Sequence, residues 1–166
     1  MGVHHFQLEI LPKEFLGDPP IPLIPEDQMQ AGLSPWKGLE APSHDFLNAL
    51  RELLPNETSW GEVEEFKSEG TWGSDLRIWW EEGILENIEF RFSPAADSLE
   101  LLHRFAGLVR VEGYLLVDRK SGQVFEPIDE ELKPRLASSR AARFLSDPMG
   151  VIIEASKDQA SRRENA

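Results

Sequence analysis

The sequence predicts an α+β domain, a mainly antiparallel sheet with helices packed on one face. Consecutive stretches in the middle of the chain alternate apolar and polar residues, with no helical stretch between them. Strands that follow one another this way pair antiparallel. Two other stretches carry apolar residues at helical spacing, each forming a stripe that needs a sheet to cover it. A chain of 166 residues suits a single core. The expected organisation is one domain over 1–155, including a proline-rich surface loop at 17–42, followed by a polar tail at 156–166.

Taken in order, "VHHFQLEILP" alternates, with His4, Phe6, Leu8 and Ile10 pointing one way and Val3, His5, Gln7 and Glu9 the other. That is the pattern of a half-buried strand. Residues 17–42 hold half of the twelve prolines. Proline fixes φ and lacks an N–H, so this stretch is expected to be neither helix nor inner strand. It still carries Ile21, Leu23, Ile24, Leu33, Trp36 and Leu39, which should hold it to the domain surface. In "SHDFLNALRELLP", Ser43 is the expected N-cap and Phe46, Leu47, Leu50, Leu53 and Leu54 the buried stripe, with Pro55 as the stop. "WGEVEEFKSEGTW" reads as a strand. "ADSLELLHRFAGLVRVEG" reads as a helix, with Leu99, Leu102, Ala106 and Val109 on one stripe and Leu101, Phe105 and Leu108 widening it. "GYLLVDRKSGQVFEP" gives two short strands around Lys120-Ser121-Gly122. One or two helices are expected over 128–146, with Pro134 kinking the first or beginning the second. "VIIEAS" is a candidate last strand or an irregular packed segment.

The stretch "SDLRIWWEEGILENIEFRFSP" reads as a hairpin, and its register gives meaning to its charges. A three-residue loop at Glu82-Gly83-Ile84 sets Glu81 opposite Leu85. Ile78 then faces Ile88, and Leu76 faces Phe90. On the other side Arg77 faces Glu89 and Asp75 faces Arg91. A two-residue turn at Glu82-Gly83 would instead set Ile78 against Asn87 and waste the core face. The simplest meaning of the charges is cross-strand pairing on a solvated face, at roughly 0.2–1 kcal/mol per pair. Trp79 fits this less well. It shares the polar face opposite Asn87, and is either covered by the proline-rich loop beside Trp36 or open to a partner. Arg77, Trp79, Glu81, Glu89 and Arg91 are therefore the candidate interaction face.

Charge narrows the function. Thirty acidic residues against seventeen Lys and Arg give a net charge of −13. Such a chain repels phosphate backbones, which argues against nucleic acid, and attracts a basic protein partner. There is no cysteine, which removes disulfides, thiolate metal sites and thiol nucleophiles. No apolar run is long enough to span a bilayer, and the N-terminus lacks a signal-peptide pattern. The expected location is the cytoplasm, with no membrane association. No phosphate-binding glycine loop, zinc-binding H-E-x-x-H, calcium loop or G-x-S-x-G elbow is present, so no cofactor and no catalytic residue is assigned. His4 and His5 are neighbours on a strand and point to opposite faces, so they cannot share a metal from there. His44 and His103 have no evident partners. "ASSRAARFLSDP" places a small basic spot near a helix start.

"LRIWW", "IEFRF" and "SSRAARFLSDP", about an eighth of the chain, resemble segments of small, acidic, cysteine-free bacterial α+β proteins, some of which are immunity proteins that neutralise a toxin. The resemblance implies a binding role and assigns no residue. The leading expectation is a non-enzymatic protein-interaction domain, an immunity-like or regulatory binder of a basic partner. The alternative is a small-ligand-binding or enzymatic domain, with a pocket between the hairpin face and the proline-rich loop acting as a lid. A homodimer through the exposed sheet, centred on Trp79, is the third.

Overall fold

A computed structural model of the chain describes residues 6–69, 73–93 and 98–138. Seven strands form one antiparallel sheet: β1 (Phe6–Leu11), β2 (Asn56–Glu57), β3 (Val63–Lys67), β4 (Asp75–Glu81), β5 (Ile84–Phe92), β6 (Leu115–Asp118) and β7 (Val124–Phe125). Their order across the sheet is β2-β3-β4-β5-β1-β6-β7. The fold is α+β, as expected. The first strand lies inside the sheet, with Leu8 opposite Phe90 of β5 and Ile10 opposite Leu116 of β6. β1 is therefore buried on both faces rather than half-buried, and even Glu9 has no exposed surface.

Three helices lie together on one face: α3 (His44–Arg51), α4 (Ser98–Val111) and α5 (Asp129–Ser138). Ser43 caps α3, its Oγ accepting from the Phe46 N–H at 3.1 Å. From α4, Leu102, Phe105, Ala106 and Val109 reach the sheet, where Phe105 packs on Phe90 and Phe92 at 4.9 and 5.4 Å between ring centroids. Leu99, expected on that stripe, is 53% exposed. In the first turn Ser98 takes the inward position instead, hydrogen-bonded to Ser93 through their hydroxyls at 3.2 Å. α5 runs through Pro134 as one helix. Acids crowd its first turn, where the helix end is positive. The basic spot from Ser139 onward, the candidate strand "VIIEAS" and the tail lie outside the described residues.

The proline-rich segment covers part of the other face. With the chain just before it, it contributes Leu16, Ile24, Met29 and Leu33 to a second cluster on Leu11, Leu115 and Val117. The segment is not free of helix. α1 (Lys13–Leu16) precedes it, and α2 (Glu26–Ala31) forms within it, directly after Pro25. A proline at the entry to a helix removes an N–H that would have no helical partner, so Pro25 starts this turn rather than preventing it. The same segment ties to the last strand, with Ile24 N–H on the Gly122 carbonyl (2.8 Å) and Val124 N–H on the Pro22 carbonyl (2.9 Å). Of the six apolar residues expected to hold it down, Ile24, Leu33 and Trp36 are buried, while Ile21, Leu23 and Leu39 are exposed. Trp36 belongs to the helix-side core. It donates its indole N–H to the Ile10 carbonyl (3.1 Å) and meets Tyr114 edge-on. Residues 33–36 thus pass the end of β1 from one face to the other.

Candidate functional site

The hairpin that carries the candidate residues turns on two residues, not three. Glu82 (φ +50°) and Gly83 (φ +78°) both occupy the left-handed region, which a type I′ turn requires at its two central positions. The turn pairs Glu81 with Ile84 and Trp80 with Leu85. A bulge at Glu86 then adds one residue to β5, which restores the expected pairs: Trp79 with Asn87, Ile78 with Ile88, Arg77 with Glu89, Leu76 with Phe90, Asp75 with Arg91. The Glu86 carbonyl accepts the Trp36 N–H at 3.3 Å, so the bulge is also where the proline-rich segment attaches.

The register brings charged side chains of β1, β3, β4 and β5 onto one face. Arg91 binds Asp75 with two nitrogens, Nε to Oδ1 at 2.9 Å and Nη2 to Oδ2. Arg77 turns mainly to Glu65 of β3 (2.7 Å) and only approaches Glu89, at 3.9 Å. Glu89 instead accepts from the Trp79 indole at 3.0 Å. The centre of this face is not the solvated surface expected from alternation, since Asp75, Glu65 and Asn87 are buried. Glu9 lies beneath, hydrogen-bonded to the Asn87 amide and 3.4 Å from Arg119. Burial pushes its carboxyl above the ordinary value, and Glu89 directly opposite adds to this. The Asn87 hydrogen bond and the Arg119 charge offset only part of it. Glu65 behaves oppositely. Burial would raise it, but hydrogen bonds from Thr58 and Arg77 and the charges of Arg77 and Lys67 hold it low.

Trp79 is half-buried, and Trp36 is not its neighbour. It meets Trp60 edge-on at 5.7 Å. Beside it, Gly32 and Leu33 of the proline-rich segment and the sheet face enclose a recess of about 410 Å³, into which Arg77, Arg91, Arg119 and Glu89 also open. Four of the five candidate residues therefore meet at one place. Glu81 does not, because it stands at the hairpin tip.

The tip is a second feature. Trp60 closes a tight turn on Val63 and is 51% exposed, and Ile84 is 56% exposed. Glu62 accepts the Glu82 N–H through both carboxylate oxygens at 3.2 Å. A hydrogen bond with Glu81 raises Glu86, desolvation and the charges of Glu81 and Glu62 add to the effect, and Lys37 opposes it. Among the described residues, no group of histidines and carboxylates is arranged to hold a metal. His103 does have a partner, Asp129 at 3.1 Å, and this hydrogen bond lowers the Asp129 carboxyl. No helix of the described residues is long and apolar enough to cross a membrane.

Sequence reasoning missed Glu9, Glu65, Arg119 and Trp60. Each is brought to the hairpin by strand order or by a turn, and pattern along the chain carries neither. The one available signal was Glu9 on the polar side of β1, without the strand it would face. No protein-family model, curated protein or solved structure matches the chain.

Proposed function

We propose that the chain is a non-enzymatic interaction domain that docks a basic partner protein at the hairpin tip. The observation that carries this reading is the gathering of like charge around exposed apolar side chains. Glu81, which shares a hydrogen bond with Glu86, and Glu62 both push the Glu86 carboxyl up, near the exposed Trp60 and Ile84. A lysine or arginine from a partner would relieve that repulsion. Trp60 is held on one side by Trp79, so little side-chain freedom is lost when its exposed side is covered, and tryptophan is the residue type most enriched at interface hot spots. The net charge of −13 supports the same partner by speeding its approach. This moves the interaction face away from Arg77, Glu89 and Arg91, each of which already has a partner within the sheet. An immunity-type role is the form suggested by the resemblance noted above, with a basic toxin as partner.

The test is retention of host proteins on the tagged chain at low and high salt, beside Trp60→Ala and the double variant Glu81→Lys/Glu86→Lys. One basic protein should bind the wild type, leave at high salt and be lost from both variants, whose melting temperatures stay within a few degrees of wild type. A partner that binds all three alike, or that is not basic, would overturn the reading. Recovery of the chain's own copies instead would make the tip a homodimer contact.

A further inference from the structure

The recess on the sheet face has a chemistry different from that of the hairpin tip, although Glu86 borders both. Three guanidinium groups open into it, and their existing bonds leave donors free. Arg77 commits Nε to Glu65, Arg91 commits Nε and Nη2 to Asp75, and Arg119 reaches Glu9 only through Nη1, at 3.4 Å. Among the described residues, both terminal nitrogens of Arg77, Nη1 of Arg91, and Nε and Nη2 of Arg119 have no hydrogen-bond acceptor. None of them is a buried orphan, because the one buried unpaired side-chain nitrogen among the described residues is Nε of Arg135. They face space that water or a ligand can reach. Arg119 is fixed there by its own backbone N–H, which donates to the Gln7 carbonyl at 3.1 Å.

We propose that this recess binds a small planar monocarboxylate, with its carboxylate on the free donors of Arg77, Arg91 and Arg119 and its ring between Trp79 and Leu33. Arginine suits a carboxylate because its N–H groups lie in one plane and can be offered in pairs. The volume of about 410 Å³ is within the range of small-molecule sites. The walls also limit the charge. Glu89 and Glu86 both line the same space, so a phosphate dianion would meet carboxylates that a monoanion seated on the arginines can avoid. The indole of Trp79 and the side chain of Leu33 supply the apolar surface that an inorganic ion cannot use.

Benzoate, its neutral counterpart benzamide and inorganic phosphate are the probes. Binding is followed through the arginine Nε–H and tryptophan Nε1–H resonances of the whole chain. Benzoate should shift the signals of Arg77, Arg91, Arg119 and Trp79 together and saturate in the millimolar range. Two variants should each weaken it about tenfold, the loss expected for a charged hydrogen bond. Arg119→Gln removes a donor. Gln7→Glu adds a competing carboxylate and breaks no existing ion pair. Arg104→Gln, on an exposed position of α4, should change nothing. Benzamide binding as well as benzoate would overturn the proposal, as would phosphate binding as well as benzoate, or no shift with any probe.

Discussion

Glu9 concentrates the physics of the site in one side chain. It has no exposed surface, and burial raises its carboxyl above the ordinary glutamate value of 4.5. The folded chain therefore holds this proton more tightly than the unfolded chain. The stability it contributes is complete below about pH 4.5 and is lost as pH rises through the raised value. Glu9→Gln keeps an acceptor for Asn87 and removes the charge. The variant should gain stability relative to wild type at about pH 7.5, and the gain should vanish near pH 4. Comparing melting temperatures at both pH values checks this, and a difference that does not change with pH would refute it. The comparison with wild type matters because Glu64 and Glu65 run the other way. Their lowered carboxyls lend stability that is lost on acidification. Alternation placed Glu9 on the polar side of its strand correctly. Its burial comes from β5 and β6 on either side, and nothing near Glu9 in sequence encodes those neighbours.

At the scale of elements, the hairpin shows what a sequence pattern can and cannot resolve. From Trp79 downward, a three-residue loop and a two-residue turn with one bulge give the same pairing. Charge and apolar matching therefore fixed the register and could not separate the two closures. The left-handed backbone of Glu82 and Gly83 separates them, and it makes a prediction. Asparagine before glycine is the favoured type I′ pair, so Glu82→Asn should stabilise the chain by about 0.5 kcal/mol. Gly83→Ala, forced to a positive φ, should cost about 1 kcal/mol. Denaturant midpoints measure both, and equal midpoints for the two variants would mean the turn is not type I′. The proline-rich segment was legible as a surface cover because its apolar content suits no free linker. α2 was missed because the helix-breaking effect of proline was extended beyond Pro25, although a proline at the entry to a helix costs it no internal hydrogen bond.

For the whole molecule, fold class was legible and strand order was not. Hairpin-like neighbours reveal themselves by spacing, whereas β1 joins strands some eighty and a hundred residues later in the chain. That insertion creates the polar face, the recess and the buried Glu9 together. It also sets how the two apolar clusters are joined. Leu33 sits in one and Trp36 in the other, three residues apart, with the end of β1 between them. The covering segment cannot lift from its own face unless the indole leaves the opposite core. Its opening is thereby linked to that of the central strands, and its amides should report this in deuterium exchange. The N–H groups of Ile24 and Val124 should exchange about as slowly as those of β1, although prolines surround the first and the second lies in a strand of two residues. In Trp36→Ala the two should exchange quickly while β1 remains protected. A segment that looks like a loop in sequence would then belong, by kinetics, to the same cooperative unit as the centre of the sheet.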